Sequence, residues 1–162
     1  FQLFKSYPIC NYSGTLGPKL REGDHQSPEG FYQVGQGALN PNSSYHLSFN
    51  LGFPNAYDRH LNRTGSYLMI HGNCVSVGCY AMTDPAIEEI YVLLEAALLN
   101  GQTAVSVHAF PFRMTQERLS QAQDHPWIGF WQNLAPAYHQ FNHTHRVPQV
   151  DSVAGRYQIS AL

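Results

Sequence analysis

Ile70-His71-Gly72-Asn73-Cys74-Val75-Ser76-Val77-Gly78-Cys79-Tyr80-Ala81-Met82 joins an apolar strand pattern to the start of a capped helix. It sets one imidazole and one thiol eight residues apart on a glycine-containing loop. A thiol of pKa about 8.5 is mostly protonated at neutral pH and becomes a nucleophile only beside a base or a helix N-terminus. Both are on offer to Cys79. A helix begins about five residues later, and His71 returns across the loop if the end of its strand packs beside that helix. Gly78 lets backbone N–H groups approach a developing oxyanion, the largest electrostatic contribution in acyl transfer. By spacing alone, the commoner arrangement of such a pair is a buried, inert cysteine beside a satisfied core histidine.

Upstream of this loop the chain alternates short strand patterns with turn clusters. Strands are expected over residues 2–7, 31–34, 45–51 and 66–71, punctuated by Gly14, Gly17-Pro18, Gly23-Asp24 and Asn40-Pro41-Asn42. Downstream, Asp84-Pro85 reads as an N-cap followed by proline at the first helical position, with Glu88 and Glu89 at the positive end of the dipole. Ile87, Ile90, Tyr91, Leu94, Ala97 and Leu98 form one apolar stripe, so the helix runs to about Leu99, where Asn100-Gly101 stops it. A strand over 103–109, helices over 115–123 and 127–141, and a strand or hairpin over 149–160 around Ala154-Gly155 complete the pattern. This is a mainly β, α+β chain. No repeat, linker or composition shift divides residues 1–162, which are expected to form one domain.

Composition narrows the function. With 162 residues and 43% hydrophobic content, the chain is long enough for a core without disulfide staples. A net charge of -2 and a pI near 6.5 lack the basic footprint that nucleic-acid binding requires. The longest apolar stretch, 87–99, is broken by Glu88, Glu89 and Glu95 and is too short to span a bilayer. Charged residues make up 12%, against about 25% in a typical domain, so the polar surface is hydrogen-bonding more than ionic. The first residue is Phe1, and an export signal is expected to lie outside this sequence.

Ile70-His71-Gly72 followed by Ser76-Val77-Gly78-Cys79-Tyr80-Ala81-Met82 resembles the His-Gly and Ser-His-Gly-Cys-x-x-Met pattern of L,D-transpeptidase catalytic domains, the YkuD-type family. Gly17-Pro18-Lys19, Gly23-Asp24 and Ser27-Pro28-Glu29-Gly30-Phe31-Tyr32 are similar to that family's Thr-Pro-x-Gly-x-Phe/Tyr segment, in the same order. Tyr7-Pro8, Asn55-Ala56-Tyr57-Asp58-Arg59 and Pro111-Phe112-Arg113-Met114 further resemble its YafK-like branch.

The resemblance implies a β-sandwich or barrel-like catalytic fold with one helix after the nucleophile and further helices at the C-terminal end. It implies that Cys79 attacks the carbonyl of the L-centre of diaminopimelate in a peptidoglycan stem peptide, with His71 as general base and acid. A backbone carbonyl near Gly72 would orient the imidazole, and N–H groups around Val77, Gly78 and Cys79 would hold the oxyanion. A thioester forms, D-Ala or another amine leaves, and an amine or water resolves the acyl-enzyme. No cofactor or metal is called for, and the implied location is the bacterial periplasm. The YafK-like branch implies hydrolysis of the amide between diaminopimelate and the lysine of an outer-membrane lipoprotein in place of cross-link formation.

Three departures from the family pattern matter. Val77 stands where the family has a second His, Ala81 stands where it has an Arg, and the short His71-to-Cys79 separation implies an open groove. Arg113 could replace the missing guanidinium, since Arg binds carboxylates bidentately, or serve in a structural ion pair. Tyr57, Asp58 and Arg59 could line the groove or form a turn with a local Asp-Arg pair. Ser76 could donate near the site or stabilise its loop.

Two other readings compete. His139, His143 and His145 have spacings that zinc peptidases use, without an acidic partner in the required arrangement. Trp127 and Trp131 could mark a non-catalytic wall-binding module, although a four-residue spacing suits one packed helix face. The Asn-x-Ser/Thr sequons at Asn11, Asn42, Asn62 and Asn142 carry no meaning in a bacterial envelope protein. With Cys79 as the nucleophile, Cys10 and Cys74 remain as a pair that could bridge, and a reversible Cys74 to Cys79 disulfide is the rival.

Overall fold

A computed structural model describes residues 1–160 of the chain. Strand β1 (Gly30–Val34) pairs antiparallel with β6 (Val105–Ala109), in a register that sets Tyr32 opposite Val107. A four-stranded sheet runs β2 (Leu39–Asn40), β3 (Ser48–Asn50), β4 (Met69–His71), β5 (Tyr80–Ala81). Its first three strands are antiparallel, and β4 and β5 are parallel. The tail is the hairpin β7 (Gln149–Val153) and β8 (Arg156–Ser160), turned by Ala154 and Gly155 at φ 48° and 71°. Positive φ at both central residues matches the twist of the flanking strands. The three sheets are separate and not closed into a barrel.

Four α-helices complete the architecture: α1 (Ala56–His60), α2 (Asp84–Leu99), α3 (Gln116–Gln121) and α4 (Ile128–Thr144). The stripe on α2 buries Ile87, Leu94 and Leu98 against Val34, Phe49 and Met82. A second cluster sets Phe130, Trp131 and Leu134 of α4 against Phe31, Tyr57, Met114 and Tyr157. Tyr32, Leu51, Phe53 and Leu68 form a third cluster, with Ile70, Tyr80 and Val107 packed against it.

Several local expectations change. Residues 2–7 form no strand: Leu3 is 84% exposed, and the bridge from this end of the chain to the sheet falls further on, at Asn11 to Ala81. The strands expected over 45–51 and 66–71 shorten to Ser48–Asn50 and Met69–His71. Thr83 is the N-cap of α2, and Asp84 starts the helix itself, with its carboxylate accepting the Asn73 N–H at 2.7 Å. Helix α4 continues through Pro136 to Thr144 and ends at His145 in the left-handed region.

The β4–β5 connection is the feature that builds the site. Parallel neighbours ordinarily need a crossover of a dozen or more residues, yet residues 72–79 make this one. The chain reverses through Asn73 and Cys74 at φ 65° and 48°, and through Gly78 at φ 107°. Cys74 is bonded to Cys10, with their Cα atoms 5.3 Å apart. Cys79 is the free cysteine.

Candidate active site

The register of β4 and β5 places Ile70 beside Tyr80 and His71 beside Ala81. Side chains alternate along a strand, so Cys79, one residue before β5, falls on the same face as His71 and level with Met69. The Cys79 sulfur accepts the Met69 N–H at 3.3 Å, filling a hydrogen-bond position that a strand carbonyl would otherwise take. The thiol itself donates toward the Tyr67 carbonyl at 3.5 Å. Burial pushes this thiol up from its ordinary value, opposed by the Met69 N–H and by the positive charge of Lys19. Lys19 is itself buried, held by the Asp24 carboxylate and by the Arg21 carbonyl at 3.1 Å.

His71 is buried, with its ring 4.8 Å from that of Tyr45. Its Nδ1 lies 2.6 Å from the Gly72 carbonyl. A carbonyl only accepts, so Nδ1 carries the proton and Nε2 keeps its lone pair for use as a base. Among the described residues no hydrogen bond joins Cys79 to His71, and none joins the thiol to an N–H of α2. The helix N-terminus instead holds the turn at Asn73. Cys79 is therefore a thiol whose ionisation burial opposes, on the same face of the β4–β5 pair as an imidazole whose Nδ1 is turned onto a carbonyl.

The surrounding backbone is held by hydroxyls. The Gly78 N–H donates to Ser13 Oγ. The Cys79 carbonyl accepts from Ser27 Oγ at 3.0 Å and Ser76 Oγ at 2.6 Å, so Ser76 closes the loop onto Cys79. The Gly72 N–H is taken by the carbonyls of Tyr45 and Leu47 at 3.1 and 3.2 Å, leaving its own carbonyl for His71. Val77 stands 74% exposed at the lip. Ala81, at the position of the family's Arg, is wholly buried, so no guanidinium could be presented there.

Among the described residues none of the other candidate side chains hydrogen-bonds to Cys79 or His71. Arg113 is exposed, and among the described residues its guanidinium has no ion-pair partner. Tyr57 is stacked on Tyr157 at 4.2 Å, and Arg59 donates to the Pro54 carbonyl. The local ion pair is Asp58 with Arg63 at 2.9 Å, where Asp58 also serves the Asn55 capping box. Tyr57 lines a cleft of about 350 Å³ with Trp127, Phe130 and Arg156, and none of these hydrogen-bonds to Cys79 or His71. A smaller cavity of about 150 Å³ is lined by Ile9, Tyr12, Leu16, Tyr80, Phe110 and Ser27, the last of which donates to the Cys79 carbonyl. Trp131 is a core residue whose indole N–H donates to Glu29 at 2.8 Å. His139, His143 and His145 belong to no metal-sized group among the described residues. Ser13, Ser27, Tyr45 and Met69 carry no signal in the spacing around Cys79, because three of them reach the site from segments more than 30 residues away.

A family model described as the L,D-transpeptidase catalytic domain, YkuD, matches residues 2–107. The chain belongs to this family. It is 50% identical over 160 residues to the Escherichia coli K12 protein named "Putative L,D-transpeptidase YafK", covering 99% of this chain and 65% of that protein. A relative of the same name from E. coli O157:H7 matches equally. The chain thus spans just under two thirds of the length of these relatives. Crystal structures of the helical cell shape determining protein Pgp2 from Campylobacter jejuni share the fold. The K307A mutant aligns at TM-score 0.52 and 21% identity, over 83% of this chain and 47% of that one. The second Pgp2 structure gives 0.50 and 17%, over 86% and 61%. No described helix of the chain is long and apolar enough to cross a membrane.

Proposed function

We propose that this domain is a cell-envelope enzyme that transfers the acyl group of peptidoglycan stem peptides through a thioester on Cys79. One observation carries the reading: the thiol rests on the Met69 N–H, on the same face of the β4–β5 pair as a buried His71 whose Nδ1 is turned onto the Gly72 carbonyl. When a carbonyl carbon enters, Nε2 of His71 takes the thiol proton as sulfur forms the C–S bond. The carbonyl electrons move to oxygen, where the backbone N–H groups of Val77 and Cys79 hold the charge, the Gly78 N–H being given to Ser13 Oγ. Collapse breaks the C–N bond, and the imidazolium returns its proton to the leaving amine. A second amine, or water, then attacks the thioester and regenerates the thiol. The carbonyl of the L-centre of diaminopimelate is the proposed electrophile.

Water as the resolving nucleophile is the second version, giving hydrolysis of a diaminopimelate-to-lysine amide such as that of an outer-membrane lipoprotein. The eight-residue loop, the half-buried thiol and the exposure of Val77 favour it, because a short open loop admits water. Intact-mass analysis after incubation with a tetrapeptide stem or a carbapenem tests the core of the reading. A single adduct on Cys79, absent in Cys79→Ala, is expected; a wild-type protein without adduct would refute the reading. Incubation with lipoprotein-linked muropeptides separates the two versions, since cross-linked dimer without lipoprotein release would exclude hydrolysis.

A further inference from the structure

The Gly78–Cys79 peptide is gripped from outside by a strap formed by residues 10–13. At its upstream end, Cys10 is bonded to Cys74 in the nucleophile loop. Next, the N–H groups of Cys10 and Asn11 both donate to the Ala81 carbonyl at 2.9 and 3.1 Å, and the Ala81 N–H donates to Asn11 at 2.8 Å. Ser13 Oγ then accepts the Gly78 N–H. Ser13 and Ser27 are also locked to each other: the Ser13 N–H donates to Ser27 Oγ at 3.1 Å, and the Ser27 N–H to the Ser13 carbonyl at 3.0 Å. Ser27 Oγ passes the contact on by donating to the Cys79 carbonyl. The strap therefore touches the loop on both sides of the nucleophile.

We propose that this strap is a positioning device: Ser13, held in place by the Cys10–Cys74 disulfide and the Asn11–Ala81 bridge, fixes Gly78 and thereby aims the Cys79 thiol. The physical need is local. Gly78 sits at φ 107° in a region only glycine enters freely, and a glycine fixes its neighbours' direction poorly unless its own N–H is tied. Exposed Val75 and Val77 add no packing that would hold the loop. A misplacement of the attacking atom by about 1 Å costs roughly 100-fold in rate, so a tie one residue from sulfur acts on the chemistry without touching substrate. The inference rests on Cys79 being the nucleophile.

Single-turnover acylation of Cys79 by a carbapenem, followed by intact mass, tests it on the whole chain. Ser13→Ala is expected to lower the acylation rate constant at saturating reagent about 10- to 100-fold, with the half-saturating concentration and the final labelled fraction unchanged. Ser13→Thr, which keeps the hydroxyl, should restore the rate to within about threefold. C10S/C74S should slow acylation by a similar factor, and adding S13A to it should cause no further loss, because both changes act through one path. Wild-type rate in S13A overturns the proposal. So do a faster rate, which would make Ser13 a latch on the Gly78 N–H, a loss confined to the labelled fraction, and losses that multiply. If C10S/C74S does not fold, the S13A and S13T pair still decides. A wild type that forms no adduct refutes the Cys79 reading itself, whereas a labelled wild type with an unchanged S13A refutes only the strap.

Discussion

Gly72→Ala places a methyl group where the site has no room for one. A Cβ there would meet Asp84 Oδ1 at 2.6 Å, the Tyr45 carbonyl at 3.0 Å and His46 Cβ at 3.1 Å. Ordinary contact begins near 3.4 Å, so the tightest pair must separate by ~0.8 Å. If Asp84 yields, its 2.7 Å hydrogen bond to the Asn73 N–H opens to ~3.5 Å and is lost. That costs about 1 kcal/mol, and the contact with the Tyr45 backbone, which cannot swing away, adds about 1–2 kcal/mol. Urea unfolding should therefore show a loss of about 2–3 kcal/mol, or a fall in Tm of roughly 5–10 °C for a chain of this length. The Gly72 carbonyl holds His71 Nδ1 at 2.6 Å, so a shifted residue 72 also turns the base. Acylation by a carbapenem should slow by about 10-fold or more at full occupancy of folded protein. G72A/D84A removes the closest atom and should recover part of the stability. Wild-type unfolding and wild-type acylation in G72A would refute the claim that this cradle is closed and that it aims the imidazole.

Three further outcomes are expected. Although burial raises the Asp24 carboxyl, its hydrogen bonds to Lys19, Arg21, Leu20 and Gln26 hold it at about 2, below the ordinary 3.8. Its contribution of ~2 kcal/mol is then complete above about pH 4 and lost as pH falls toward 2; the stability gap between wild type and Asp24→Asn, measured by urea unfolding, should close over that window. Because burial lifts the Cys79 thiol and no imidazolium touches it, iodoacetamide alkylation of the free enzyme should rise through a pH above the ordinary thiol value. A midpoint below pH 8 would reveal a thiolate–imidazolium pair at rest. Trp131→Phe strips Glu29 Oε2 of its 2.8 Å donor in the core and should destabilise by about 1–3 kcal/mol, read by urea unfolding, with the acylation rate per folded molecule unchanged.

The helix after the nucleophile was legible because its signals are local: the apolar stripe from Ile87 to Leu98, the proline near its start and Asn100-Gly101 at its end need no partner to be read. The tail hairpin was legible for the same reason, through Ala154-Gly155. Residues 2–7 misled because alternation in a segment that finds no neighbouring strand describes exposed chain equally well. Asp84 was misplaced by one residue as a cap because Thr83 and Asp84 are both cap formers, and the choice depended on Asn73, whose N–H claims the carboxylate. The packing of Tyr57 is not legible in its neighbours along the chain, because the aromatic surfaces it stacks on, Tyr157 and Phe130, come from distant segments.

What the sequence by itself determined is the family and the identity of one thiol and one imidazole on a short glycine loop, since residue type and spacing along the chain are enough to state them. What only the tertiary structure decided is their condition. That Cys79 lies on the Met69 N–H, that His71 keeps Nε2 free, and that Cys10 bridges Cys74 all depend on strand register. So does the tie from Ser13 to Gly78, across 65 residues of chain. Hydrogen bonds and disulfides act over a few ångströms of space, and no local pattern encodes which distant segments the packing of three hydrophobic clusters will bring within that range.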